Sequence, residues 1–355
     1  MAKNINIPIK DNPLQTPQIN LARSTATRFW LVSLCAFLAI IQSSLSDSFS
    51  SLFIALGAVT SALFTESLIY YLQGKDWKKI KDGSAVSTAL ILTIFLPNLI
   101  SPVYAAAGAA FAVAVIKHSF GGLGSNWLNP AVGGWSFIRF SWPNTFNKAL
   151  EASPVFHNEF AYPISAPNYD SIHLFLNRTV FMLTSAELPF GYLDLFNSRF
   201  PGIIADRGII AILVGTIIIT AFRANRSWIP AAYLAFFAII VRLAGALPDG
   251  LWTGDILFAL LSGGTLAAAF FLAADPVTGA KSNIGLLIST LAAATLAFLF
   301  RYLGEEPYGA VIAFACINSL LPLVKILESN KLYPASSFFI PFEKNKNTKA
   351  RKKRL

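Results

Sequence analysis

The sequence predicts an all-α protein that crosses a membrane about ten times, on three observations. Of its 355 residues 55% are hydrophobic and 13% charged, with a mean hydropathy of +0.57, too apolar for a soluble chain of this length. The apolar residues gather into runs of roughly 18 to 22, the length of a spanning helix rather than of a barrel strand. Lys and Arg collect at the two chain ends and in short loops, the distribution expected of cytoplasmic segments. The net charge of +10 is accounted for in this way and does not imply a nucleic-acid partner.

Residues 1–28 are polar and proline-containing, with Lys3, Lys10, Arg23 and Arg28, and read as a cytoplasmic tail rather than a cleavable signal. Phe29 to Ser46 is the first apolar run, and Leu52 to Leu72 the second. The loop after it, GKDWKKIKDG, carries four lysines and belongs inside. From Ser84 to Ile116 the chain is apolar except at LPNLISP. Pro97 and Pro102 cannot continue a helix there without losing hydrogen bonds, so this stretch predicts a helical hairpin. Lys117 and His118 then return to the cytoplasmic side, and Pro130 to Trp142 forms a short fifth crossing.

Residues 143–207 are the one long hydrophilic stretch. Acids (Glu151, Glu159, Asp170, Glu187, Asp194 and Asp206) outnumber bases there, which places it outside. Five more apolar runs follow at approximately 208–222, 226–247, 255–274, 282–300 and 307–327. Arg223, Arg226 and Lys281 fall inside on this count, and Asp249, Asp255, Arg301, Glu305 and Glu306 outside. The tail ending NKNTKARKKRL is inside again. The divisions are therefore a tail (1–28), a first membrane half (29–142), an outer loop (143–207), a second membrane half (208–327) and a basic tail (328–355). Two five-span halves on either side of an outer loop have opposite orientation, the arrangement of an inverted repeat.

The richest stretch is KHSFGGLGSNWLNPAVGGWSFIRFSW, from Lys117 to Trp142. Its glycines permit close backbone approach, and the amides of Asn126 and Asn129 need partners away from hydrocarbon. Irregular backbone at membrane depth is tolerated where it is buried in protein or lines a cavity. The stretch is thus either a polar cytoplasmic loop or a site for an ion or ligand, with Gly121, Gly122, Asn126 and Asn129 as contacts. In the second half SGG at Ser262–Gly264 and AADPVTGA at Ala273–Ala280 interrupt the third run. Asp275 and Thr278 near its inner end suggest an ion or cofactor contact, although an Asp-Pro turn that caps the next segment uses the same residues.

Arg139 and Arg242 are single cations in apolar runs and read as snorkelling or paired. Trp127, Trp135, Trp142 and Trp252 read as interfacial anchors. Cys35 and Cys316 lie in apolar runs and read as packing residues, and His118, His157 and His173 have no metal-ligand spacing. No Walker loop, nucleophile triad, CxxC pair or HExxH occurs, so hydrolysis and nucleotide-driven chemistry have no support in the sequence. The remaining classes are a transporter or a component of an energy-coupling complex.

Three segments, DGSAVSTALILTIFLP, GGLGSNWLNPAVGGWSF and FFLAADPVTGA, occur in an order that resembles the RnfD/NqrB family. This family comprises RnfD, a membrane component of the Rnf electron-transport complex, and NqrB, its counterpart in the sodium-translocating NADH:quinone oxidoreductase. The resemblance runs from about residue 20 to 330. It implies a ten-helix, urea-transporter-like fold of two inverted repeats in the bacterial inner membrane. It also implies partner proteins of the same complex, sodium ion or proton as the translocated species, and FMN or riboflavin as cofactor.

The family's FMN is held through its phosphate on an outer threonine, in a pattern of Ser/Thr, Gly/Ser, Ala, Thr. The matching stretch here, LTSAELPFGYLDLF, keeps Thr184, Ser185 and Ala186 but places Glu187 at the acceptor position. A carboxylate cannot form that phosphoester and repels a phosphate, so covalent FMN is expected to be absent. A noncovalent flavin is compatible with the aromatic rings of Phe190, Tyr192 and Phe196. A second family segment, Pro-Gly followed by a Gly-Glu-Thr-Ser type sequence, reads PGIIADRGIIA at Pro201–Ala211. The alternative is a divergent paralogue that works as a transporter or channel-like protein without tethered flavin.

Overall fold

A computed structural model describes residues 25–45, 49–74, 77–151, 196, 202–222, 226–244, 256–275, 278–280, 282–304 and 308–332 of the chain. Regular structure among these is helical, with a single isolated bridge between Pro97 and Ile203. Helices Thr25–Ser44 (α1), Ser50–Leu72 (α2) and Asn283–Leu303 are long and apolar enough to cross a membrane. Shorter apolar helices include Ser84–Ile94 (α3), Pro102–His118 and Ile209–Ala221, with Trp228–Ala244 and Gly309–Val324. Their outward faces are apolar, with Phe53, Phe64, Ile217, Ile239 and Ile284 each more than half exposed. Glu66, Asn98, Lys117, Asp206 and Arg301 are inside. This inversion of the water-soluble pattern suits a hydrocarbon solvent, and the chain is a membrane protein.

The expected hairpin at 84–116 forms, with α3 ending at Ile94 and α4 (Pro102–Phe111) starting on a proline, where the missing N–H costs nothing. α4 runs on through a π-helical stretch, Ala112–His118. The break between α3 and α4 frees carbonyls, and three of them take donors from other elements. Trp135 Nε1 donates to Phe95 O at 2.8 Å, Ile204 N to Leu96 O at 3.1 Å, and Ser50 Oγ to Asn98 O at 2.7 Å. Trp135 is therefore a buried strut that closes the break and not an interfacial anchor.

α5 (Pro130–Ser141) crosses α4 where Gly108 meets Gly134. A Cβ on Gly134 would lie 2.6 Å from Gly108 O, so only glycine permits this approach. A short helix α6 (Pro143–Glu151) follows α5. Ile204–Arg207 (α7), assigned from sequence to the hydrophilic outer stretch, is instead packed into the core, with Asp206 buried. α8 (Ile209–Ala221) and α9 (Trp228–Ala244) come next.

The third run of the second half is broken. α10 (Ile256–Leu261) stops at Ser262, and α11 (Thr265–Ala267) restarts and continues as a π-helical stretch, Ala268–Ala273. Gly264 turns the chain at φ +68°. Arg301 and Asp206 both hold this break. Arg301 donates to the freed carbonyls of Ala259 (2.7 Å) and Ser262 (3.0 Å) and to the hydroxyls of Ser262 and Thr265. Asp206 Oδ1 accepts from Gly264 N at 2.7 Å. Arg301, expected in an outer loop, thus lies buried in a helix and supplies the hydrogen bonds that a broken backbone needs in lipid. The SGGT sequence at Ser262–Thr265 is spent in the same turn.

α12 (Asn283–Phe298, continuing to Leu303) is capped by Ser282 Oγ, which accepts from Gly285 N at 2.9 Å. α13 (Gly309–Leu332) contains Pro322. α1 packs along α8, α2 against α4, α9 against α12, and α5 against α13. Cys35 is buried and donates to Gly215 O at 3.4 Å, while Cys316 is only half-buried.

Candidate functional site

Asn129 is the hinge of the site because its two amide atoms do different work. Oδ1 accepts from Ala131 N at 2.9 Å and caps α5, whose first residue is Pro130. That bond fixes the amide orientation and aims Nδ2 away from the helix, where it donates to Asp275 Oδ2 at 2.8 Å. Thr278 Oγ1 donates to the same carboxylate oxygen at 2.9 Å. Asn129, Asp275 and Thr278, from the two halves of the chain, are therefore one cluster.

The cluster faces a cavity of ≈ 380 Å³ whose walls come from both halves, including Arg28, Phe29, Ser87, Asn126, Phe271 and Asp275. Ser87 is buried in α3, and its hydroxyl has no hydrogen-bond partner among the described residues. Asn126 lines the cavity and also ties its own loop. With its amide turned to donate, Nδ2 lies 3.1 Å from Gly122 O and 3.2 Å from Lys117 O. Gly121 and Gly122 do not line the cavity. They sit at φ +109° and +92°, so glycine is needed there for the backbone that presents Asn126.

Beside the cavity lies an ion pair that the sequence reading missed. Lys117, assigned there to the cytoplasmic loop, is buried and donates to Glu66 Oε1 and Ser84 Oγ, and Lys117 and Ser84 both line the cavity. His118 Nε2 stands 3.6 Å from Glu66 Oε1, and the Tyr70 ring meets the His118 ring edge-on at 5.4 Å. Glu66 lies in the middle of an apolar run, a position that marks ion pathways and buried pairs; that was the available signal. Arg139, a single cation within an apolar run, lies over the Phe146 ring at 5.4 Å. Among the described residues no group of three His, Cys, Asp or Glu could hold a metal ion. Glu187, Thr184, Ser185, Phe190, Tyr192 and Trp252 lie outside the described residues.

Discontinuous helices whose broken ends and polar side chains surround an internal cavity define an integral membrane protein of the transport or energy-coupling class. The chain belongs to the NQR2, RnfD, RnfE family, whose profile matches residues 14–333. It is similar to the D subunit of the proton-translocating ferredoxin:NAD(+) oxidoreductase complex of Clostridium ljungdahlii, at 29% identity over 87% of this chain and 92% of the relative. The D subunit of the ion-translocating oxidoreductase complex of Vibrio cholerae is 29% identical over 90% of this chain and 97% of its own length. The D subunit of the Na(+)-translocating ferredoxin:NAD(+) oxidoreductase complex of Acetobacterium woodii is 26% identical over 90% and 93%.

Proposed function

We propose that this chain is the RnfD-type membrane component of an electron-transport complex that couples redox chemistry to the translocation of sodium ions or protons. Family membership over residues 14–333 carries this reading, and relatives with that printed role cover 87% and 90% of the chain. The cavity supports it physically, because an anionic carboxylate, a buried Lys–Glu pair and uncommitted polar groups converge at a helix break. Its partners are the other membrane proteins of the complex, and its place is the bacterial inner membrane with both termini cytoplasmic.

The ten-span inverted repeat is supported by the packing pattern. The first helices of the two halves, α1 and α8, meet each other, as do the fifth, α5 and α13. Within each half the second packs on the fourth, α2 on α4 and α9 on α12. Affinity-tagged chain expressed in its host should bring down the other membrane proteins of the complex, and vesicles holding that complex should accumulate the ion when reduced donor is added. Purification of the chain alone from a host that makes those partners overturns the assignment.

A noncovalent flavin, in this reading, would occupy the cavity, whose volume lies within the range of about 300–1,000 Å³ of small-molecule sites. Phe29 and Phe271 offer apolar ring contacts, Arg28 and Ser87 offer donors, and Asn126 Oδ1 offers an acceptor for a polar ring edge. A flavin bound there would supply one- or two-electron transfer. Covalent FMN is expected to be absent because Glu187 replaces the threonine acceptor. Denaturing electrophoresis under ultraviolet light should give a dark band, even when the chain is expressed with the flavin transferase of this family. A fluorescent band with the mass of one added FMN would sink this expectation. Fluorescence gained on Glu187→Thr would support it.

A further inference from the structure

A second, much smaller cavity adjoins Asp275. It has a volume of ≈ 20 Å³ and is walled by Asp275, Thr278, Ser289, Thr290 and Asn318 among apolar side chains. A cavity needs about 10–15 Å³ to hold one water, so this one admits a single water or a single bare ion. Thr278, Thr290 and Asn318 are nine-tenths or more buried.

The hydroxyl hydrogens around it are already committed. Thr278 Oγ1 donates to Asp275 Oδ2 at 2.9 Å. Thr290 Oγ1 and Ser289 Oγ donate to Leu286 O at 2.7 and 3.0 Å. A hydroxyl has one hydrogen and two lone pairs, so these three oxygens have only lone pairs left to offer an occupant. The Asn318 side chain is buried against the cavity and can turn its carbonyl oxygen inward. The C-terminal end of the broken helix at Ala273 adds the negative end of its dipole. Among the described residues, the polar walls of the cavity are thus acceptors beside one carboxylate.

We propose that Asp275, Thr278, Thr290 and Asn318 hold one dehydrated monovalent cation of sodium's size. A single carboxylate balances one positive charge; a divalent ion would leave an uncompensated charge buried. This site rests on reading the chain as part of an ion-coupling complex, and it adds Thr290 of α12 and Asn318 of α13 to Asp275 and Thr278. The purified full-length chain in detergent tests it through its thermal-unfolding midpoint, titrated with NaCl against choline chloride at constant ionic strength. The midpoint should rise saturably with sodium and less with potassium. Thr290→Val and Asn318→Leu should each raise the half-saturating sodium concentration at least about tenfold. Thr290→Ser, which keeps the oxygen, should titrate like the parent and serves if the valine variant does not fold. A sodium-independent midpoint that responds only to pH overturns the site, as does a sodium response unchanged by Thr290→Val and Asn318→Leu. Copurification of the partner proteins tests the pump reading separately, so a flat sodium titration in a chain that assembles overturns the cation site alone.

Discussion

Replacing Lys117 with Met should destabilise the folded chain by about 3–5 kcal/mol, because it strands the Glu66 carboxylate inside the membrane domain without its cation. Glu66 and Lys117 are both buried, on α2 and at the end of the α4 stretch, and Ser84 closes the network from α3. The loss should appear as a lower unfolding midpoint in detergent and a smaller monodisperse fraction. Glu66→Gln combined with Lys117→Met should recover most of it, since the pair's desolvation cost disappears together with its attraction. A single Lys117→Met variant as stable as the parent would mean that the two groups do not stand in the native protein as a charged pair.

Asp275→Asn should reduce redox-driven ion accumulation by more than about tenfold while leaving folded yield much closer to normal. Asp275 Oδ2 accepts from Asn129 and Thr278, and an asparagine can present its carbonyl oxygen to both donors. The substitution therefore keeps these two hydrogen bonds and removes the carboxylate's negative charge. Measuring transport and folded yield in the same membranes separates the two roles. Equal losses in both would return Asp275 to a purely structural part, the cap of an Asp-Pro turn.

The helix breaks were legible in the sequence because proline and glycine act locally. Pro97 and Pro102 predict the hairpin that α3 and α4 form, and SGG at Ser262–Gly264 marks the turn between α10 and α11. The glycines and asparagines between Lys117 and Trp142 and the Asp275–Thr278 segment were legible as interruptions needing polar partners. Lys117, Trp135, Asp206 and Arg301 were misplaced for a common reason. Charge-counting rules assume that a charged group or an indole near the end of an apolar run reaches the interface. These four groups instead serve backbone or side-chain partners far away in the sequence. Trp135 and Arg301 each answer carbonyls some forty residues upstream, and Lys117 answers Glu66 fifty-one residues away.

By itself the sequence determined that the chain is helical and membrane-bound, with its apolar runs interrupted at particular prolines and glycines, since length, hydropathy and such punctuation act along the chain. Tertiary structure alone decided which polar groups complete one another. Asn129 and Asp275 are 146 residues apart and meet because capping α5 fixes one end of an amide while the break of the second half delivers a carboxylate to the other. In hydrocarbon surroundings an unpartnered polar group is costly, and only the packed arrangement of helices brings partners this distant in sequence together.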